Sequence, residues 1–74
     1  MQPHFDVSDY MNRAYIMMIN KRYHEAIEVY DHILERDPNN VEALIRKGIA
    51  LHSLGRFDEA ISAYDKVLKI NRDD

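Results

Sequence analysis

The sequence repeats itself every 34 residues, and no gap is needed to align the two copies. With residues 6–40 laid over 40–74, Arg22 falls on Arg56, Glu25-Ala26-Ile27 on Glu59-Ala60-Ile61, Tyr30-Asp31 on Tyr64-Asp65, and Leu34 on Leu68. Ala14 and Gly48, Met17 and Leu51, Tyr23 and Phe57, and Ile33 and Val67 are near-matches. A fixed period of this size makes each copy one supersecondary unit that buries its apolar face against its neighbour, which is the construction of a solenoid.

Within each copy the apolar spacing is helical. Tyr10, Ala14 and Met17 form one stripe, and Met11, Tyr15 and Met18 form a second beside it, so the first helix must touch neighbours on two sides. Ala26, Ile27, Tyr30, Ile33 and Leu34 form the stripe of the next helix, opposite Glu25, Glu28, Asp31 and Glu35. The second copy repeats the scheme with Leu44, Gly48, Leu51 and Ile45, Ile49, His52, then with Ala60, Ile61, Tyr64, Val67 and Leu68.

The punctuation agrees with that reading. Asp6 and Asn40 hold equivalent positions just before each first helix, and both residue types cap helix N-termini well. Asp37-Pro38-Asn39-Asn40 separates the copies, because proline cannot continue a helix and pushes its predecessor out of the α region. Gly55 stands where a left-handed residue is expected after the third helix, and Lys21 holds the same place in the first copy. Asp9–Arg13, Glu42–Arg46 and Asp65–Lys69 are acid-before-base pairs at i, i+4 spacing. The expected elements are helices over 7–20, 24–36, 41–54 and 58–71. The expected fold is all-α, a right-handed α-solenoid of two helix-turn-helix units with four antiparallel helices: a leader over 1–6, unit 1 over 7–40 and unit 2 over 41–74.

Composition excludes several function classes. The absence of cysteine removes disulfides and Cys-based zinc sites, so packing alone must hold the chain together. It also fits a reducing compartment, and a cytoplasmic location is expected. The net charge of −3 argues against nucleic acid or an anionic membrane as partner. No apolar run is long enough to span a bilayer, and Met1-Gln2-Pro3-His4 does not read as a signal peptide. No glycine-rich phosphate loop or catalytic constellation stands out, so neither enzyme activity nor a cofactor is expected. His24, Glu28 and His32 lie one turn apart on one helix, a spacing that reads as a solvated polar face and not as a metal site.

The second unit carries Leu44-x-x-Lys47-Gly48-x-x-Leu51, then Gly55-x-Phe57 and Ala60-x-x-x-Tyr64; the first carries Ala14, Tyr23, Ala26-x-x-x-Tyr30 and the closing Asp37-Pro38. This 34-residue pattern resembles the tetratricopeptide repeat (TPR), and the resemblance covers residues 7–74. There are departures. Tyr10 and Leu44 stand where the family often has tryptophan, Arg13 and Lys47 where it has leucine, and Arg72 where the closing proline would fall.

The resemblance implies an interaction module that binds a short peptide or partner helix in a concave groove lined by the first helix of each unit. The groove positions it implies are Ser8, Met11, Tyr15, Met18 and Ile19 from the first unit and Glu42, Ile45, Ile49, His52 and Ser53 from the second, flanked by Asn12 and Arg46. The alternative is that Met11, Tyr15, Ile45 and Ile49 are simply core. One subfamily grips C-terminal carboxylates with lysine and asparagine, but Met11 and Tyr15 occupy those sites here, so no carboxylate clamp is expected.

In such an array the next unit would cover part of Ile61, Tyr64, Leu68 and Ile70. Burying each of these side chains is worth about 1.5–3 kcal/mol. The alternative function is therefore a structural or assembly module whose groove and uncapped final helix drive homo-oligomerisation.

Overall fold

The computed structural model describes residues 6–72. They form four helices, α1 (Val7–Ile19), α2 (Tyr23–Arg36), α3 (Val41–Ser53) and α4 (Phe57–Arg72), with no strand among them. Each helix packs on its chain neighbours, α1 on α2, α2 on α3 and α3 on α4. The fold is therefore the expected solenoid of two helix-turn-helix units. Most of the leader assigned to residues 1–6 lies outside the described residues, except for Asp6.

The same local chemistry builds both units. The Asp6 carboxylate accepts the Ser8 N–H at 3.0 Å, and the Asn40 side-chain oxygen accepts the Ala43 N–H at 2.9 Å, so each side chain satisfies a backbone donor that a helix start leaves free. The turns inside the units also match. Arg22 N–H reaches back to the Met17 carbonyl at 2.8 Å and Lys21 N–H to Met18 at 3.0 Å; Arg56 N–H reaches Leu51 and Gly55 N–H reaches His52, both at 2.9 Å. This paired closure requires one left-handed residue, supplied by Gly55 (φ 77°) in one turn and by Lys21 (φ 61°) in the other. Beyond each turn an arginine grips the first turn of the next helix, Arg22 bonding both Glu25 carboxylate oxygens at 2.7 Å and Arg56 pairing with Glu59 at 2.6 Å.

The core has two centres. Ala14, Ala26, Tyr30, Ile33 and Ala43 join α1, α2 and α3; Ile27, Ala50, Leu51 and Ala60 join α2, α3 and α4. Small residues lie at the crossings because helices approach closely only where side chains are short. Gly48 is the extreme case, since a Cβ built there would lie 2.4 Å from the Tyr64 ring. Lys47 takes a leucine-type position at the rim of the α2–α3 contact, half-buried, with its ammonium on the Asp31 carboxylate. Of the three i, i+4 pairs only Glu42–Arg46 closes, at 3.1 Å, while Arg13 lies over the Tyr10 ring at 5.5 Å.

Candidate functional site

Helices α1 and α3 share one face of the molecule, and it is apolar. Tyr15 is 51% exposed, Ile45 38% and Ile49 45%, although these are residue types that solvent-facing helix positions rarely hold in a row. Their exposure excludes the alternative that they are core. Met11 and Met18 behave differently. Both are half-buried, and Met18 packs against both core clusters, so these two form the floor of the face and link it to the interior. Asn12 and His52 are exposed at its margins.

Arg46 ties the face together. From α3 its guanidinium lies 5.2 Å from the Tyr15 ring centroid on α1, a cation–π contact across the two helices, while its Nε–H donates to the Glu42 carboxylate at 3.1 Å. Both charged groups are thereby held at one end. Along α3 the same pair joins Val41, Ile45 and Ile49 in lining a shallow hollow. On α2, Tyr30 is fully buried, and its hydroxyl has no hydrogen-bond partner among the described residues. Burial pushes the Tyr30 phenol above its ordinary range; the Arg46 guanidinium, near the hydroxyl but outside hydrogen-bond geometry with it, opposes the rise, and the Glu42 charge adds to it.

The sequence reading overlooked one contributor. Phe57, 54% exposed, meets His52 edge-on with ring centroids 5.0 Å apart and extends the apolar surface past the end of α3. Its match to Tyr23 at the 34-residue period placed it in the turn but gave no sign that it would stay exposed where Tyr23 is half-buried. The histidine stripe on α2 takes up other contacts, with the His32 ring 5.3 Å from Tyr10. Among the described residues no three His, Cys, Asp or Glu side chains are placed to share a metal ion.

A second apolar surface lies on α4. Ile61 and Leu68 are 55% and 58% exposed, Tyr64 is half-buried against Gly48, and Ile70 is half-buried further along. Among the described residues no helix is long and apolar enough to cross a membrane.

The tetratricopeptide repeat family model matches residues 17–74. The chain belongs to the tetratricopeptide repeat family. A TPR repeat-containing protein of Methanocaldococcus jannaschii is 34% identical over 59 residues, which is 80% of this chain and 18% of the relative. A TPR and J domain-containing co-chaperone of Fusarium oxysporum is 33% identical over 64 residues, 86% of this chain and 12% of that one. A rice protein named as a probable UDP-N-acetylglucosamine–peptide N-acetylglucosaminyltransferase, SPINDLY, is 42% identical over 48 residues, 65% of this chain and 5% of the transferase. The TPR chain thus spans less than a fifth of the length of these relatives. Tetratricopeptide repeats generally mediate protein–protein interactions, and that is the functional class these matches give.

Proposed function

We propose that this TPR pair is a cytoplasmic, non-catalytic interaction module that needs no cofactor and holds a short apolar peptide or partner helix on the α1/α3 face. Met11, Asn12, Tyr15, Met18, Ile45, Arg46, Ile49 and His52 carry the contact. The observation supporting this reading most strongly is the exposure of Tyr15, Ile45 and Ile49 on a face where the Arg46 charge is paired with Glu42. A partner that is mainly apolar gains from covering that surface, whereas an acidic or nucleic-acid ligand finds little free positive charge. Two helices about 8–10 Å apart give a floor of about 20 Å, which roughly six extended residues cover. Such a contact is small, and ordering costs offset much of its burial, so the affinity expected is micromolar or weaker.

Selection from a displayed peptide library, followed by NMR titration of the labelled chain, tests the proposal. Apolar peptides should be enriched and should shift the amides of Tyr15, Ile45 and Ile49. Ile45→Glu with Ile49→Glu should abolish binding with the fold intact, since both side chains are already exposed. Met18 is the poorer choice for substitution, because it also supports both core clusters. Enrichment of acidic C-terminal peptides whose binding is lost on amidation would overturn the apolar reading. Concentration-dependent dimerisation removed by the same double variant would reassign the face to self-association.

A further inference from the structure

Helices α2 and α4 border a cleft that the α1/α3 reading does not use. Its volume is about 470 Å³; Asp31 and Leu34 line it from α2, Ser62 and Lys66 from α4, and Lys47 from α3, which packs on both. Its apolar base, Leu44 and Leu51, is already buried, and its exposed lining residues are all polar: Arg56, Glu59, Ser62 and Lys66. Unit 1 has the matching cleft, lined by Tyr10, Met17, Glu25, Glu28, Val29 and His32. One period later these six are Leu44, Leu51, Glu59, Ser62, Ala63 and Lys66, and every one of them lines the cleft of unit 2. The Arg22–Glu25 and Arg56–Glu59 pairs are equivalent and cancel. What differs is that Glu28 gives way to Ser62, Val29 to Ala63 and His32 to Lys66. The acid is gone, a base has arrived and the wall is smaller.

We infer that the unit 2 cleft is a second binding site, independent of the α1/α3 face, for a short acidic stretch of a partner protein. Three bases (Lys47, Arg56, Lys66) line it against two acids (Asp31, Glu59), an excess of positive charge on a chain of net charge −3. Asp31 holds Lys47 and Glu59 holds Arg56, which fixes the two bases in place. A lysine carries three N–H donors and an arginine five, more than one carboxylate takes up, so both keep donors for a ligand. Lys66 has no ion pair or hydrogen bond among the described residues, and its charge is uncommitted. A ligand carboxylate meets Lys66 in a charge-assisted hydrogen bond, and the Ser62 hydroxyl, one turn away, adds a further donor. From Glu59 to Lys66 the cleft follows about two turns of α4, or about 11 Å, which about three extended residues cover. The net negative charge of the chain disfavours a long polyanion, whereas a stretch this short meets only the local field of the cleft.

Hexaglutamate, acetylated and amidated, tests this when titrated into the isotope-labelled chain and followed by NMR. It should shift the amides of Ser62, Ala63 and Lys66 and leave those of Tyr15, Ile45 and Ile49 in place, so the outcome is separate from that of the apolar-peptide reading. Hexaglutamine with the same end groups should shift none of them. Lys66→Glu should weaken the hexaglutamate contact at least about tenfold, the loss expected when a charge-assisted hydrogen bond goes, while Lys66→Arg should retain it. Both variants should keep the native melting temperature, because Lys66 is exposed. Ser62→Glu with Lys66→His, which copies the unit 1 cleft, should abolish binding. Raising the salt from about 0.01 M to about 0.15 M shortens the screening length from about 30 Å to about 8 Å and should also weaken it. No shift at the cleft with millimolar hexaglutamate, an equal shift with hexaglutamine, or indifference to Lys66→Glu would overturn the site. Inorganic phosphate held there as tightly as the peptide would overturn a protein segment as the occupant, and a tighter response to a short oligodeoxynucleotide would make the occupant nucleic acid instead.

Discussion

Helices α2 and α4 carry nearly the same apolar residues at the same spacing but differ in what those residues touch. Ile27 is 7% exposed and Ile61 55%; Leu34 is half-buried and Leu68 58% exposed; Tyr30 is sealed and Tyr64 half-open. The difference lies in a neighbour, because α2 is packed between α1 and α3, whereas α4 packs on α3 and no described element covers its other side. In a solenoid, burial belongs to the interface between units, so one sequence pattern is core in one unit and surface in the next. The same side chain can therefore stabilise the fold in unit 1 and remain available for association in unit 2.

The largest consequence is a contrast in stability. Ile27→Ala should cost about 2–5 kcal/mol, the usual range for truncating a buried isoleucine. Ile61→Ala should cost less than about 0.5 kcal/mol, as surface changes do. Urea unfolding midpoints of the two variants measure the gap directly, and equal losses would break the comparison. Gly48→Ala sharpens it. The new methyl meets the Tyr64 ring, and the overpacking, at about 1–3 kcal/mol, exceeds the gain of about 1 kcal/mol from replacing helical glycine. Net destabilisation is expected in the native background. In a Tyr64→Ala background the same change should stabilise, because the obstructing ring is gone.

The turns differ in another way. Lys21 adopts φ 61° where Gly55 adopts φ 77°. Lys21→Gly should stabilise by about 1 kcal/mol, and Gly55→Ala should destabilise by a similar amount; opposite signs in thermal melts are the check.

The smallest effect concerns Tyr30. Tyr30→Phe removes a buried hydroxyl that has no partner, so at neutral pH it should be neutral or raise stability by up to about 1 kcal/mol. Because burial raises the folded-state pKa of Tyr30, folding favours the protonated phenol. That contribution is intact below about pH 10, the ordinary tyrosine value, and is lost as pH rises above it. Urea midpoints at about pH 8 and about pH 11 should therefore fall more steeply for the native chain than for Tyr30→Phe.

Much of this was legible before any coordinate. The period gave two units, Asp6 and Asn40 gave the helix starts, and the pairing of Lys21 with Gly55 gave the left-handed turn position, which the backbone then adopts. The helices begin and end within about a residue of expectation because caps and turns are local chemistry, set by neighbours in sequence. The face residues were harder. Tyr15 and Ile49 read equally well as core or as groove, since an apolar stripe records that a surface wants cover and not whether cover arrives. The split between Met18, drawn into both clusters, and Tyr15, left under Arg46, depends on how far α3 lies from α1. Phe57 was missed for the same reason, its exposure depending on where α4 leaves the turn.

The sequence by itself determined the helices, their caps, their turns and their repetition, because each of these is decided within a few residues along the chain. Only the tertiary structure decided that Tyr15, Ile45 and Ile49 stay exposed, that the Tyr30 hydroxyl is sealed without a partner among the described residues, and that Arg46 reaches across to Tyr15. Those outcomes depend on distances between helices, and such distances follow from the packing of small residues at crossings that belong to no single segment.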